Sequence, residues 1–267
     1  MKQIPNIFTL LNLVFGCLAI VMILQTGESI LVLDNFGNST VFLPEKLWAG
    51  SLFIFAAAVI DFLDGFLARL MKAHSAMGAQ LDSLSDVVSF GVAPGMILYQ
   101  LLRMSYAQDV NGLDVSIIAL LPAFVFTVAV AWRLAKFNLI TTPSASFVGV
   151  PSPAAGLLIA SFPLIIHFSQ LSAGPLLPPA IATLFINKWL LYGVILVLSY
   201  LMLSRFSFIS LKFKSFGFKE NAPQYILLLL SLIAIIVLRW AAAPVIFILY
   251  LIVSFTAPKN ATFAPKY

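Results

Sequence analysis

Residues 61–86 read DFLDGFLARLMKAHSAMGAQLDSLSD. The chain has ten acidic residues, and four of them, Asp61, Asp64, Asp82 and Asp86, lie here within otherwise apolar sequence. Asp61 and Asp64 are spaced i, i+3, and Asp82 and Asp86 i, i+4, so on helices each pair shares a face. Gly65 and Ala68 continue the first face, and Gly78 precedes Asp82 on the second. Small residues at such places let a ligand or a second backbone approach closely. Carboxylates at membrane depth are costly unless something pairs with them. Arg69 is the one basic partner nearby, too little for four acids, and a divalent metal is the simplest other source of positive charge.

The surroundings are those of a membrane protein. Of the 267 residues, 61% are hydrophobic and 9% charged, and the mean hydropathy is +1.05. No soluble domain of this length needs so much apolar surface. The single Cys17 excludes an intrachain disulfide and a multi-cysteine zinc site, and His74 and His167 are too far apart in sequence to suggest a histidine motif. The net charge of +5 could suit nucleic acid, but loop topology explains it better, and no nucleic-acid partner is expected.

The chain opens MKQIPNIFTLLNLVFGCLAIVMIL. One lysine before an apolar run has the look of a signal peptide, with VFGC as a cleavage box. Against that, the basic region is very short, and Asn6, Thr9 and Asn12 interrupt the run at one-turn spacing. A cleaved leader has no use for a polar stripe, whereas a retained helix lining a polar site does. Residues 26–46 read as a polar loop. Apolar spans follow at 47–71, 79–103, 115–137, 153–170, 186–205, 222–239 and 242–257, each near the 20 or so residues that cross hydrocarbon, the last two short enough to be re-entrant. The stretch 174–180 is a Pro/Leu-rich loop.

The fold class predicted is therefore all-α, a polytopic integral membrane protein of about eight transmembrane helices. With the N-terminus in the cytoplasm, Lys2, Arg69, Lys72, Arg133, Lys136, Arg205, Lys212, Lys214, Lys219, Lys259 and Lys266 lie inside, eleven of the fifteen basic residues. Lys46, Arg103, Lys188 and Arg239 fall outside, beside Glu28, Asp34, Glu45, Asp109 and Asp114. The asymmetry favours an even number of spans and both termini inside. The basic 205–219 segment fits either this bias or contact with anionic headgroups.

In this topology the turn near 70–77 is cytoplasmic. From Arg69 back to Asp61, and from Gly78 on to Asp86, is eight residues each, which puts both outer aspartates about 12 Å below the turn. Asp61 is then expected to face Asp86, and Asp64 to face Asp82. Two divalent ions would neutralise four such carboxylates, and a two-metal site suits displacement at phosphorus. Arg69, Ser75 and the free N–H groups opening the next helix suit a phosphate. A cluster of buried acids with a purely structural role, or the cation site of a transporter, fits the same residues. A transporter would usually add broken helices or paired repeats, which the sequence lacks.

The complete pattern, Asp61-x2-Asp64-Gly65-x2-Ala68-Arg69-x8-Gly78-x3-Asp82-x3-Asp86, resembles the signature of the CDP-alcohol phosphotransferase family at all eight positions. The resemblance implies a six-helix membrane core with a cytoplasm-facing site and two divalent metal ions, Mg2+ or Mn2+. It also implies attack of an alcohol on a CDP-linked substrate with release of CMP. IPNIFTLLNL (4–13), LDSLSDVVSFGVAPG (81–95), RLAKFN (133–138) and FVGVPSPAAG (147–156) are similar to one branch, the bacterial-type phosphatidylserine synthases. The likeness covers roughly residues 3–160 and implies CDP-diacylglycerol and L-serine as substrates. Membrane lipids, and a homodimer as is common in the family, are the other expected partners. Other branches would use glycerol phosphate, inositol or inositol phosphate as acceptor.

Carried over by position, the resemblance assigns metal binding to Asp61, Asp64, Asp82 and Asp86, with Asp86 also the general base for serine. It assigns the nucleotide and its phosphates to Asn6, Thr9, Asn12, Gly65, Ala68, Arg69, Ser75 and Gly78. Arg133, Lys136 and Asn138, at the cytoplasmic end of the fourth span, are candidates for serine's carboxylate, with a plain positive-inside anchor as the alternative. The Gly91–Gly95 run predicts a kink in the third span. The domain expectation is a core at 1–205, a basic cytoplasmic loop at 206–221 and two additional helices with a tail at 222–267.

Overall fold

The computed structural model describes residues 4–25, 31–33, 39–41, 46–71, 75–109, 114–139, 147–171, 183–208 and 221–256. Parts of the expected cytoplasmic turn (72–74), the basic loop (209–220), the Pro/Leu loop (172–182) and the C-terminal tail lie outside them. Each apolar stretch read from the sequence contains helix. Helix α1 is Ile4–Leu24 and α2 Leu47–Leu70; α3 (Ala76–Val87), a π-helical segment (Val88–Val92) and α4 (Ala93–Tyr106) follow. Then come α5 (Ile117–Leu120), α6 (Ala123–Asn138), α7 (Ser152–Leu171), α8 (Lys188–Leu203), α9 (Ala222–Leu238) and α10 (Ala242–Thr256).

Four helical stretches are long and apolar enough to cross a bilayer: Asn6–Leu24, Leu47–Leu70, Ala76–Tyr106 and Ser152–Ser169. Helices α8, α9 and α10 are apolar but have 16, 17 and 15 residues. At 1.5 Å per residue the last is about 22 Å long, short of a hydrocarbon core of about 30 Å. The expected span 115–137 is broken after Leu120, because Pro122, which has no N–H to give a preceding turn, sits as the N-cap of α6.

Among the described residues, two short ladders accompany the helices. Strands β1 (Leu31–Leu33) and β2 (Ser39–Val41) pair antiparallel, Leu31 opposite Val41, within the segment expected to be loop; β-branched Val32, Thr40 and Val41 favour the pleat. Strands β3 (Phe147–Val148) and β4 (Ser207–Phe208) also pair antiparallel. They tie the entry to α7 to the chain that leaves α8.

The third span differs from a simple kink. Its 31 residues, Ala76–Tyr106, measure about 46 Å, so one end reaches beyond the hydrocarbon. The Ala93 N–H donates to Val88 O, five residues back, and Pro94 follows in the first turn of α4. A π turn placed just before a proline lets the helix continue where the ring would otherwise clash. The Thr127 hydroxyl on α6 donates to Gly91 O at 2.9 Å. Neighbouring helices press on this segment through glycine. A Cβ on Gly156 of α7 would stand 3.1 Å from Phe90 Cα, and one on Gly16 of α1 would stand 2.5 Å from the Ser89 hydroxyl.

The fully buried core, including Phe90, Ile97, Leu101, Phe126, Val130 and Ile159, is drawn mainly from the π segment, α4, α6 and α7. Outside it, Val59, Phe62, Leu196, Leu228 and Ile236 are exposed. A surface of that kind suits lipid, with backbone polar groups satisfied inside each helix.

Candidate active site

Helix α3 begins where the sequence allows an N-cap. Ser75 is extended, and its side chain accepts the Gly78 N–H at 2.9 Å. From there α3 runs beside α1 and α6. Two serines stitch α3 and the π segment to α1: Ser85 donates to Thr9 O at 3.0 Å and Ser89 to Asn12 O at 3.1 Å. These serines were not singled out in the sequence. Their signal was there, since Asp82, Ser85, Asp86 and Ser89 form one polar stripe at helical spacing.

With the helices so placed, carboxylate oxygens of Asp61, Asp82 and Asp86 all lie within 4.8 Å of one another. Asp61 and Asp82 are half-buried, and Asp86 is 7% exposed. None of the three forms an ion pair among the described residues. At such distances each ionised pair repels by roughly 3.5 kcal/mol at an effective dielectric of about 20. Three pairs approach the whole stability of an ordinary domain. A divalent cation held among the three would offset that repulsion.

Asp64 does not complete a square with Asp82. Its carboxylate accepts the Thr9 hydroxyl of α1, and its other oxygen is buried without a donor. Asn12 offers its amide N–H to Asp86 at 3.4 Å, and its carbonyl oxygen is likewise buried without a donor. Two orphaned acceptors beside three clustered carboxylates are the donor set of a hard cation. The residues therefore fit a divalent metal.

The nucleotide-side candidates fall around this cluster. Asn6, Thr9 and Asn12 sit on one face of α1, with Thr9 and Asn12 buried. A Cβ on Gly78 would lie 3.0 Å from Asn6 Oδ1, so a larger side chain would press on α1 there. A Cβ on Gly65 would meet nothing within 4 Å, which leaves open space beside Asp64. Ala68 is half-buried, and Arg69 is exposed with no ion pair among the described residues.

On the other side stands α6. Arg133 is within electrostatic reach of Asp86 and donates from Nη1 to the Ser152 hydroxyl of α7 at 3.4 Å. Its Nε is buried with no acceptor. Lys136, half-buried, is one turn further along. Asn138 is exposed and donates to Ser83 at 2.9 Å, which closes α6 onto α3 beside the cluster.

The sequence profile of the CDP-alcohol phosphatidyltransferase family matches residues 2–201. The chain belongs to this family. Among curated proteins it is similar to the CDP-diacylglycerol–serine O-phosphatidyltransferase of Bacillus subtilis, at 33% identity over 164 residues, 61% of this chain and 77% of that protein. The protein of that name from Helicobacter pylori strain J99 is 33% identical over 201 residues, 74% of this chain and 75% of its own. The one from Methanocaldococcus jannaschii is 40% identical over 114 residues, 43% and 50% respectively. As a CDP-alcohol phosphatidyltransferase the chain has its family match end within α8, so α9 and α10 lie beyond it.

Proposed function

We propose that this family member transfers the phosphatidyl group of CDP-diacylglycerol to the hydroxyl of L-serine, giving phosphatidylserine and CMP. The observation that carries the reading is the three-carboxylate cluster, on the family's own aspartates, with the half-buried Arg133 within electrostatic reach of Asp86. A transporter is disfavoured by the family membership.

Asp61, Asp64, Asp82 and Asp86, with Asn12, would hold two divalent ions, Mg2+ or Mn2+, which when bound offset the negative charge of the diphosphate and of departing CMP. Arg69 and the first turn of α3 lie at the cytoplasmic mouth, suited to the nucleotide phosphates. The open space at Gly65 admits the nucleotide, and the acyl chains need only an apolar groove between helices. Asp86 takes the serine hydroxyl proton as the oxygen attacks the phosphorus bearing diacylglycerol. The new P–O bond forms as the bond to the CMP oxygen breaks, and CMP leaves with the electron pair. A neutral hydroxyl is a poor nucleophile, so a base at that place is needed.

Arg133, with Lys136 beside it, would receive serine's carboxylate. Arg133→Ala is expected to raise the KM for serine far more than that for CDP-diacylglycerol. Loss of one such charged contact is worth roughly 1.5–3 kcal/mol, or about ten- to a hundredfold. Equal effects on both substrates would point to a phosphate or packing role. The acceptor is tested by supplying membranes with CDP-diacylglycerol and L-serine, glycerol 3-phosphate or inositol in turn, each with an EDTA control. Serine alone should give CMP, and a preference for another acceptor would reassign the branch.

The arrangement in the membrane that best suits this chemistry is eight spans with both termini in the cytoplasm, the residues 222–256 being an addition to a six-helix core. In a Cys17→Ser background, an impermeant thiol reagent applied to intact cells should label Asn38→Cys and spare Lys214→Cys. Labelling of both, or of position 214 alone, contradicts this topology.

A further inference from the structure

We infer that Ser83 and Asn138 are a positioning pair that sets the spacing between α3 and α6, and with it the fit of the acceptor between Asp86 and Arg133. This deepens the proposed transfer and rests on its placing of the acceptor between those two residues.

Helix α6 lies antiparallel against the third span, and a side-chain hydrogen bond marks each end of their contact. At one end the Thr127 hydroxyl donates to Gly91 O at 2.9 Å. At the other the Asn138 amide donates to the Ser83 hydroxyl at 2.9 Å. Along α6, Arg133 falls between Thr127 and Asn138. Along the third span, Asp86 falls between Gly91 and Ser83, about 4.5 Å deeper than Ser83 at 1.5 Å per residue. The two bonds thus bracket the residues between which serine would sit. Serine's hydroxyl and carboxylate are only a few bonds apart, so a small change in helix spacing would draw one of them away from its partner.

The two ends are held differently. At the Gly91 end the helices close on each other through glycine. A Cβ on Gly91 would stand 3.1 Å from Val130 Cγ1, and one on Gly95 would collide with the Thr127 hydroxyl. At the Ser83 end the flanking Leu84, Phe137 and Leu139 are exposed and add little packing, so the side-chain bond bears on the spacing there. That bond is complete on its own terms. Ser83 donates to Ala79 O at 3.2 Å, one turn back, and a hydroxyl whose proton is so placed offers its lone pairs to a donor such as the Asn138 amide. Asn138, which the sequence offers for serine's carboxylate, then acts on the acceptor through α3.

The test is a double-mutant cycle on the purified full-length chain, with CMP release followed against L-serine and against CDP-diacylglycerol. Ser83→Ala and Asn138→Ala remove the bond from either side, at a half-buried and an exposed position. Each should raise the KM for serine about three- to tenfold, as expected for one neutral hydrogen bond. The KM for CDP-diacylglycerol and the thermal midpoint should stay as in the wild type. The double variant should be no worse than either single one, because the second substitution has no bond left to break. Ser83→Thr, which keeps the hydroxyl, should behave as the wild type. The inference is overturned by an unchanged serine KM in either single variant or by a rise shared equally by both substrates. It is also overturned by effects that multiply in the double variant, as direct contact of Asn138 with serine would give. If the wild type forms no lipid from serine but uses another acceptor, the functional reading fails instead. The wild-type control shows that failure, and the same cycle is then scored on the KM for the acceptor used.

Discussion

Asp82→Asn and Asp61→Asn are each expected to abolish CMP release while leaving the protein in the membrane. Both residues belong to the three-carboxylate cluster, and neither contributes to the apolar core. Replacing one carboxylate by an amide removes a full negative charge and one anionic ligand at a site that otherwise concentrates repulsion. The folded chain should tolerate this, since the substitution relieves that repulsion among the three acids. Metal affinity should fall instead, and with it the stabilisation of charge on the leaving group. The measurement is CMP release by membranes carrying equal amounts of each variant, across a series of Mg2+ and Mn2+ concentrations. Near-normal activity without added divalent ions would remove the metal role assigned to these aspartates.

For Asp86→Asn, CDP-diacylglycerol binding should stay within about tenfold of wild type while turnover falls by roughly 10²–10⁴, the range a general base contributes. Asp86 is the deepest of the cluster on α3, one turn beyond Asp82. It receives the Asn12 amide on one side and faces Arg133 on the other. On the proposed reading, that position lies between the nucleotide candidates on α1 and α2 and the acceptor candidates on α6, where a hydroxyl would lose its proton. The asparagine keeps the shape and removes the basicity. Donor binding by calorimetry, set beside CMP release on the same preparation, separates the roles. More than about a tenth of wild-type turnover would show that another group takes the proton. Joint loss of donor and metal binding would make Asp86 chiefly a ligand.

Much of this site was legible along the chain because it is written at helical spacing. Four aspartates in two pairs define the faces that two helices present, whereas Ser75, read there as a phosphate contact, also caps α3. The turn of Asp64 toward Thr9 was not legible, since it depends on how α1 is rotated against α2. That rotation is set by packing of nearly uniform apolar surfaces. The distortion of the third span was visible in the Gly91–Gly95 run, but its form as a π turn goes with Gly91 and Gly95 meeting α6, and Phe90 meeting α7, in space. The break at Pro122 was legible in principle, since a proline interrupts a helix. The ladder between β3 and β4 was not, because two-residue strands far apart in sequence leave no periodic trace.

The central claim is that this cluster drives phosphatidyl transfer to serine. Its most direct test is to incubate the purified protein with CDP-diacylglycerol and isotope-labelled L-serine, and to quantify labelled lipid and CMP together. The account predicts phosphatidylserine and CMP in equal amounts, no product with EDTA, and recovery when Mg2+ or Mn2+ is restored. CMP release without serine-labelled lipid, or transfer that persists in EDTA, would contradict it.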